Sequence, residues 1–429
     1  MRPLGPLTAA IVGLVLLAAP AAAPAAKPWE RAETVSRVPG LPSAAVGADG
    51  MTVLAWTGRS AGGVGAYGAR RTAARGFGEP FGLRKQRASV DDAAVQISDD
   101  GDAIIAYRRL VGRNHRIESA TVRRSGSRTP TATLSGPGSS AYDPTFAPVA
   151  AGTLATDPVL TWWRRETDRV QIAQALGGRL LVSRNHTVAG GQRAQYAQLA
   201  DGTVLAASAT QDAALLAARP PGGDFGAPLT LASGSGPFKI ADVAVGPDGA
   251  VAVAWREFDG STYRLRAAVA PPGGPFGEQQ TLSSADERAV TAQVAITAEG
   301  AVRVAYLAAR PGNDNATSSG RLKLVTLGDE GAATVVTEGR QTARNFELAG
   351  DGRGGLTMAW HGTEGGFSSG AVLASAVTPG GRLGVRHLLT APDETGYGLT
   401  LAVGGRGDAL VAWVVGEERV RAAYRPRSG

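Results

Sequence analysis

The chain has 429 residues, of which 43% are hydrophobic, 59 are glycine and 25 are proline, and its formal net charge is +7. Because it contains no cysteine, disulfide bonds, thiolate metal sites and thiol catalysis are excluded. The positive charges are almost all arginines, scattered among 37 acidic residues without any basic run that contains aromatic residues, and this argues against nucleic-acid binding.

The N-terminal segment has the features of a secretory signal peptide. Arg2 gives a positive start, an apolar stretch runs from Leu4 to Ala19, and Ala23 and Ala25 place small residues where signal peptidase cuts. The sequence therefore predicts a signal peptide over residues 1–25 and one domain over residues 26–429. We expect the mature protein to be secreted, monomeric and not inserted in a membrane.

A repeated unit organises the rest of the chain, and its clearest copy runs from Asp242 to Ser284. This copy, DVAVGPDGAVAVAWREFDGSTYRLRAAVAPPGGPFGEQQTLSS, divides into four short pieces with β-strand patterns. Turn signals separate the pieces, first Pro247-Asp248-Gly249 and later the PPGGPFG phrase. The pieces are too short and too regularly interrupted by Gly and Pro to form helices.

The same phrase returns about every 50 residues, a spacing typical of propeller blades with four strands each. Six copies share a glycine that closes the first turn and an aromatic residue six positions later: Gly50/Trp56, Gly101/Tyr107, Gly249/Trp255, Gly300/Tyr306, Gly354/Trp360 and Gly407/Trp413. A seventh copy has Ser208 at the aromatic position, and an eighth, around Trp162 and Trp163, is degenerate. We expect each aromatic residue to pack between neighbouring blades rather than to bind a ligand.

These repeats predict an all-β fold, a β-propeller of eight four-stranded blades. Seven blades would result if the degenerate unit near Trp163 merged with a neighbour. The chain ends soon after a third strand, RVRAAYRPRSG, while the segment from Glu33 to Val38 precedes the first full repeat and resembles a fourth strand. We therefore expect the N-terminal strand to close the ring by pairing with the last blade, which would hide two strand edges.

The repeat resembles secreted bacterial β-propellers that are grouped with sialidases and their Asp-box repeats. The box reads roughly S-x-D-x-G-x-T-W, and the nearest segment here runs from Asp248 to Trp255. In this segment Asp is followed directly by Gly, the Thr is missing and the Trp lies too far along. The resemblance implies the propeller fold and, as an alternative function, a glycan-active hydrolase or lyase, but no catalytic residue carries over.

No catalytic or metal-binding constellation stands out, so we predict no cofactor and no metal site. Two matches to G-x-S-x-G, at Ser60 and Ser368, lie in loops between strands rather than on a strand-to-helix elbow. The acidic run from Asp99 to Asp102 could offer oxygens to calcium, but Asp and Gly are also what a tight turn requires. The four histidines, at positions 115, 186, 361 and 387, form no metal-binding motif.

The loops between second and third strands are long, polar and variable, and variable loops on a regular scaffold are where ligands tend to bind. The predicted ligand-binding residues in or beside these loops are Arg108, Arg164, Arg256, Glu257, Asp259 and His361. Such a rim would suit a polar or anionic polymer, for instance a polysaccharide, or a protein partner. The alternatives are a solvated rim of ion pairs and a purely structural envelope protein. We therefore expect a secreted, non-catalytic binding module.

Overall fold

The computed structural model describes residues 28–427, apart from short internal stretches, and folds them into an all-β propeller of eight blades. The internal stretches outside the description are 61–62, 73–74, 87–88, 177–178, 189–193, 312–318, 329–332, 340, 364–369 and 392–393. The predicted signal peptide over residues 1–25 and the motif at Ser368 lie outside the described residues. Within the described part of the chain, no helix is long and apolar enough to cross a membrane.

Each blade is an antiparallel sheet whose strands follow chain order from the axis outward, except that the last blade takes its outer strand from the N-terminal side and the first blade has a fifth strand. Strand β1 (Glu33–Ser36) precedes blade 1, which contains β2 (Pro42–Val46), β3 (Thr52–Ser60), β4 (Gly63–Thr72), β5 (Arg75–Phe77) and β6 (Phe81–Gln86). Blade 2 contains β7 (Val90–Ile97), β8 (Ala103–Val111), β9 (Asn114–Val122) and β10 (Ala132–Thr133). Blade 3 contains β11 (Ala141–Phe146), β12 (Val159–Arg164), β13 (Arg169–Leu176) and β14 (Arg179–His186). Blade 4 contains β15 (Gln195–Gln198), β16 (Val204–Ala209), β17 (Ala213–Arg219) and β18 (Leu229–Ser233).

The second half of the ring repeats this plan. Blade 5 contains β19 (Phe238–Val245), β20 (Val251–Phe258), β21 (Tyr263–Ala270) and β22 (Gln280–Thr281). Blade 6 contains β23 (Arg288–Ile296), β24 (Val302–Ala309), β25 (Arg321–Thr326) and β26 (Thr334–Val335). Blade 7 contains β27 (Thr342–Gly350), β28 (Leu356–Thr363), β29 (Ala371–Val377) and β30 (His387–Leu388). Blade 8 contains β31 (Gly396–Val403), β32 (Ala409–Val415) and β33 (Arg419–Arg425), with β1 as its outer strand.

The turns between first and second strands explain the recurring Asp-Gly phrases. Seven turn glycines have φ between 79° and 91°, where a side chain is disfavoured: Gly50, Gly101, Gly202, Gly249, Gly300, Gly354 and Gly407. An aspartate in several of these turns accepts a backbone amide, as Asp248 Oδ1 does from Ala250 N at 3.0 Å. In the run considered for calcium, Asp100 Oδ1 accepts Asp102 N at 3.1 Å in the same way.

The recurring aromatic residues pack between blades, as predicted. Trp255 lies in one buried cluster with Leu205 and Ala207 of the preceding blade, and each side chain of this kind is at most 1% exposed: Trp56, Tyr107, Trp162, Trp255, Tyr306, Trp360 and Trp413. Burying such a ring stabilises the interface by roughly 2–3 kcal/mol. We call the recurring aromatic position, six residues after the turn glycine, the anchor position. Ser208 holds it at the interface of blades 3 and 4, and there Tyr196 from the first strand packs instead.

The degenerate unit is a complete blade, which settles the count at eight. In blade 3, Trp162 takes the anchor position and donates its Nε1 hydrogen to Gln171 Oε1 at 2.9 Å. The short first turn of the other blades is replaced here by a long connection between β11 and β12. We call residues 148–157 of this connection the axial plug.

The axial plug crosses one end of the propeller axis. Its Ala155 carbonyl accepts the Asp99 amide of blade 2 at 3.2 Å. Its Gly152 lies so close to blade 7 that a Cβ atom there would come within 2.1 Å of Gly352 Cα. Blade 7 stands opposite blade 3 in an eight-membered ring, so the segment must span the axis to reach it. The plug therefore closes the channel on the face that carries the short turns.

The N-terminal strand closes the ring, as predicted. In blade 8, Glu33 pairs with Ala422 and Thr34 with Arg421, so β1 covers the edge of β33. Just upstream, the Glu30 amide donates to the Tyr424 carbonyl at 2.7 Å. The two ends of the described chain are thus joined by main-chain hydrogen bonds.

Removing the closing strand should destabilise the whole ring. A chain that starts at Pro39 lacks β1, the outer strand of blade 8, so the edge of β33 is exposed. A chain that starts at Pro28 keeps β1, and the edge stays covered. We expect the shorter chain to lose several kcal/mol, on the order of 5–10 °C in melting temperature by differential scanning calorimetry. Equal melting curves for the two chains would show that β1 does not close the ring.

A side chain at Gly152 should displace the axial plug. Gly152→Ala combines a left-handed φ of 74° with a clash against Gly352, so we expect it to cost about 2–4 kcal/mol of unfolding free energy in urea. Gly222→Ala is the matched control, since its φ is 69° but no atom lies within 4 Å of an added Cβ. The control should cost only about 1 kcal/mol. Equal losses for the two variants would rule out close packing of the plug.

Candidate functional site

An open cleft lies at the axial end of the loop face, the side that carries the loops between second and third strands. This mouth cleft has a volume of about 1060 Å³ and lies between blades 8, 1, 2 and 3. Carboxylates outnumber guanidinium groups among its charged lining residues, which are Asp91, Asp92, Asp143, Glu417, Glu418, Arg37 and Arg59. The mouth cleft is therefore polar and acidic.

Bulges in the first strands place two of these carboxylates. The pairing of β7 with β8 skips Asp92, and the pairing of β11 with β12 shifts at Asp143. Both have left-handed backbones, with φ of 50° and 54°, a conformation that a short polar side chain tolerates better than most. In blade 8 the corresponding bulge holds Gly398, with φ of 64°. Such bulges re-aim side chains and are frequent beside functional sites.

Arg108, one of the predicted residues, orders the acidic side of the mouth cleft. Its Nε and Nη2 donate to the two Asp91 carboxylate oxygens at 2.6 and 2.7 Å, and Nη2 lies 3.0 Å from Asp92. Burial raises the pKa of Asp92, which the positive charge of Arg108 opposes. Because the Arg108–Asp91 pair is bidentate, it fixes the direction of both side chains.

Three rings form an aromatic ledge beside these charges: His115, Tyr142 and Trp163. The centroids of His115 and Tyr142 are 5.1 Å apart, and those of Tyr142 and Trp163 are 5.9 Å apart. The Arg108 guanidinium lies 4.9 Å from the Tyr142 ring centroid, which joins the aromatic ledge to the acidic pair. All three rings are partly exposed.

The predicted residues Arg164 and Arg256 tie neighbouring segments together. Arg164 is buried and donates to Ser139 Oγ at 3.0 Å and Gln171 Oε1 at 2.9 Å. Arg256 donates to the Val290 carbonyl in the next blade. Burial lowers the pKa of both arginines. Each guanidinium thus has partners within the fold, and its role toward a ligand stays a prediction.

Glu257 and Asp259 form ion pairs within their own blade. Glu257 lies 2.7 Å from Arg266 Nε, and Asp259 lies 2.7 Å from Arg264 Nε. The Thr262 amide, which donates to Asp259 at 2.8 Å, lowers the pKa of that carboxyl further than any other partner. These contacts match the solvated rim of ion pairs that the sequence left as an alternative.

His361 is buried at the end of β28, and burial lowers its pKa to about 4. It is therefore neutral at pH 7. Among the described residues, no hydrogen bond or ion pair joins any two of the six predicted residues. Of the six, Arg108 is the one that contacts the lining of the mouth cleft, and the ligand-binding role of the others stays a prediction.

A second cavity lies on the axis, between the axial plug and a layer of three polar side chains. This axial pocket has a volume of about 330 Å³. Asp242, Gln293 and Glu347 form the polar layer, and they link three consecutive blades. Asp242 Oδ2 accepts Val294 N at 2.9 Å, Gln293 Oε1 accepts Leu348 N at 2.7 Å, and Gln293 Nε2 donates to Glu347 Oε2 at 3.2 Å.

The two carboxyls of the polar layer have pKa values close to neutral pH. Burial raises the pKa of Asp242 to about 7, against two backbone hydrogen bonds that lower it. Burial also raises the pKa of Glu347 to about 7, and the nearby charge of Asp242 adds to this. Both side chains are partly exposed and line the axial pocket. Strongly shifted carboxyls in a cavity are characteristic of functional sites.

Sequence reasoning missed the polar layer, although a signal for it exists. When the repeats are aligned on the turn glycine, the segments DVAVGPDG, QVAITAEG and ELAGDGRG begin with Asp242, Gln293 and Glu347 at the same position. A polar residue at that position interrupts an otherwise apolar strand. Three successive interruptions at one position predict polar groups that meet on the axis.

The raised pKa values predict that stability falls as pH rises. Each carboxyl has a pKa near 7 in the folded state and near 4 in the unfolded state. Its contribution to the free energy of unfolding is therefore lost as pH rises from 4 to 7. Between pH 5 and pH 8 the free energy of unfolding should therefore fall less in Glu347→Gln than in the wild type. We expect the difference to be on the order of 1–2 kcal/mol, because water in the pocket screens the charge. Urea unfolding at four pH values measures this, with the exposed Glu278→Gln as control. A wild-type slope in Glu347→Gln would contradict it.

No protein-family model matches the chain, and no curated protein matches it. Among solved structures, it is similar to an ulvan lyase of a polysaccharide lyase family, with 10% identity over 92% of this chain and 94% of that chain and a TM-score of 0.51. A second ulvan lyase structure gives 9% identity, the same two coverages and a TM-score of 0.52. A subtype N10 neuraminidase-like protein of A/little yellow-shouldered bat/Guatemala/060/2010 gives 8% identity over 66% of this chain and 94% of that chain, with a TM-score of 0.40. At these identities the likeness to the lyases shows a common propeller fold.

Proposed function

We propose that this protein is a secreted binding module that holds a polar glycan in the mouth cleft without cleaving it. The mouth cleft carries the proposal, because it sets hydrogen-bonding carboxylates and guanidinium groups beside an aromatic ledge. A sugar ring presents hydroxyl groups at its rim and C–H groups on its faces. The lining of the mouth cleft offers the polar partners and the neighbouring aromatic ledge offers ring faces, and this combination suits such a ligand.

The charge of the mouth cleft narrows the ligand class. Five carboxylates and two guanidinium groups line it, and Arg108 behind them is already paired with Asp91 and Asp92. A polyanion would meet net repulsion there. A neutral or amine-bearing glycan is therefore favoured over the anionic polymer that the sequence left open.

The fold is compatible with this role. One of the similar ulvan lyase structures is described as bound to a GlcA–Rha3S saccharide, so a propeller of this general shape can hold a glycan. That likeness supports the capacity of the scaffold and transfers no residue or substrate to this chain. The argument for binding depends on the side chains of the mouth cleft.

A glycan-active enzyme is the second candidate. The observation that favours it is the pair Asp242 and Glu347, whose pKa values near 7 would let one carboxyl donate a proton at neutral pH. These groups lie in the narrow axial pocket and not in the open mouth cleft. Catalysis would therefore act on a small group inserted along the axis.

A panel of neutral, amine-bearing and acidic oligosaccharides, scored for both binding and cleavage by the purified mature chain, tests the proposal. We expect binding without turnover, weakened about tenfold by Tyr142→Ala, which removes the centre of the aromatic ledge at a cost of about 1–2 kcal/mol. Asp143→Asn should also weaken binding, since it removes a charge from the cleft while keeping a residue that tolerates its φ of 54°.

Asp212→Asn is the control, because Asp212 is an exposed aspartate between β16 and β17 of blade 4 and does not line the mouth cleft. Unchanged affinity in Tyr142→Ala and Asp143→Asn would move the site away from the mouth cleft. Turnover that disappears in Glu347→Gln would overturn the binding module in favour of the enzyme. An absence of binding across the panel would refute both candidates.

A further inference from the structure

We propose that the axial pocket is a binding site for the alkylammonium group of a small organic cation. The site is separate from the mouth cleft, since the two cavities share no lining residue. Its ammonium end would pair with Asp242 and Glu347, and its hydrocarbon part would lie between them and the axial plug.

The axial pocket is closed at one end. The plug residues 148–153 line it, and Gly152 packs against backbone atoms of both Gly352 and Gly405 on the far side of the ring. An added Cβ at Gly405 would come within 2.4 Å of the Gly152 carbonyl oxygen, so the two segments are in close contact at this point. We therefore expect a ligand to enter from the loop face, past the polar layer.

The charge of the pocket is not balanced by the protein. No described residue that lines it is an arginine, a lysine or a histidine, while Asp242 and Glu347 are both carboxyls. Among the described residues, no hydrogen bond reaches Glu347 Oε1, although Oε2 accepts the Gln293 amide at 3.2 Å. A carboxyl that is largely shielded from water is ordinarily either protonated or paired with a cation, because an unpaired charge there is costly. A bound cation would supply the missing partner.

The lining favours an organic cation over a metal ion. Calcium requires six or more oxygen ligands. Among the described lining residues, side-chain oxygens come from the polar layer and Thr153 alone, and the Thr153 hydroxyl donates to the Ala150 carbonyl at 2.7 Å. Backbone carbonyls would have to supply the remaining ligands. The remaining walls are largely apolar and include Ile296, Leu348 and Val403. A volume of 330 Å³ equals that of about ten water molecules, which is ample for a short hydrocarbon chain.

Affinity for such a ligand should depend on pH through the polar layer alone. Asp242 and Glu347 are the titratable groups that line the pocket, and the first strands and plug segment around them contribute Gln293, Ala197, Val403 and apolar plug residues. An aliphatic amine stays protonated well above neutral pH, as lysine does. Binding should therefore weaken as pH falls from 8 to 5 and the carboxyls become neutral.

Isothermal titration of the intact mature chain with n-butylamine and with its neutral analogue n-butanol tests the proposal. At pH 8 we expect the amine to bind at least tenfold tighter than the alcohol. This preference should fall at least tenfold in Glu347→Gln and in Asp242→Asn, and at pH 5 in the wild type. The exposed Glu278→Gln is the matched control and should keep the wild-type preference.

Equal affinity for amine and alcohol, or a preference that survives both substitutions, would overturn the proposal. Titration with calcium chloride completes the test, because displacement of butylamine by calcium at lower concentration would assign the pocket to a metal ion instead. Thermal melting of each variant without ligand identifies a folding defect. If one variant fails to fold, the other variant and the pH series still decide the outcome. Failure of the glycan panel would leave these measurements unaffected.

Discussion

The buried aromatic side chain at the blade interfaces is the contact on which the rest of this propeller depends. A four-stranded sheet whose second strand reads AVAVAW has small side chains that cannot fill the wedge between two blades on their own. The Trp or Tyr that ends this phrase fills the space, and it packs on the second and third strands of the blade before it. Where Ser208 breaks the pattern, Tyr196 reaches the same interface from a different strand. An aromatic side chain is therefore present at this interface as well, although it comes from a different position.

A second set of contacts works on the axis, where the first strands face one another. In blades 1, 5 and 6 the residue seven positions before the turn glycine accepts a main-chain amide from the next blade, as Ser43 accepts Val95 N at 3.2 Å and Asp242 accepts Val294 N at 2.9 Å. In blade 1 a neutral hydroxyl is sufficient for this tie. In blade 5 the same position holds a carboxyl, although the contact does not require a charge, and in blade 7 it holds Glu347, which accepts the Gln293 side-chain amide instead. The organic cation that we propose for the axial pocket would balance these charges.

The repeats could be predicted because their signals are local. A turn glycine with left-handed φ and an aromatic residue six positions later both act within one blade, and β1 was recognisable because the last repeat lacks its fourth strand. The axial plug could not be found in this way, since the contact of Gly152 with Gly352 exists only when eight blades place residues 200 positions apart on opposite sides of an axis. The bulge at Asp92 could not be predicted for another reason. The sequence Asp91-Asp92 does not indicate that Asp92 is left out of the pairing between β7 and β8. Arg108 was found from its place after the anchor, but its partners Asp91 and Tyr142 come from other strands.

The pairing of β1 with β33 also limits the order in which parts of the chain can fold. Glu33 and Ala422 are joined across almost the entire chain, so the first strand to be synthesised has no partner until the last one exists. Seven blades can form from neighbouring segments as they become available, but the eighth depends on the longest loop that the chain can close, and such contacts form slowly. Until then, two open strand edges persist on the partly folded chain. A chain interrupted anywhere before Arg419 would therefore lack β33 and leave the edge of β1 unpaired.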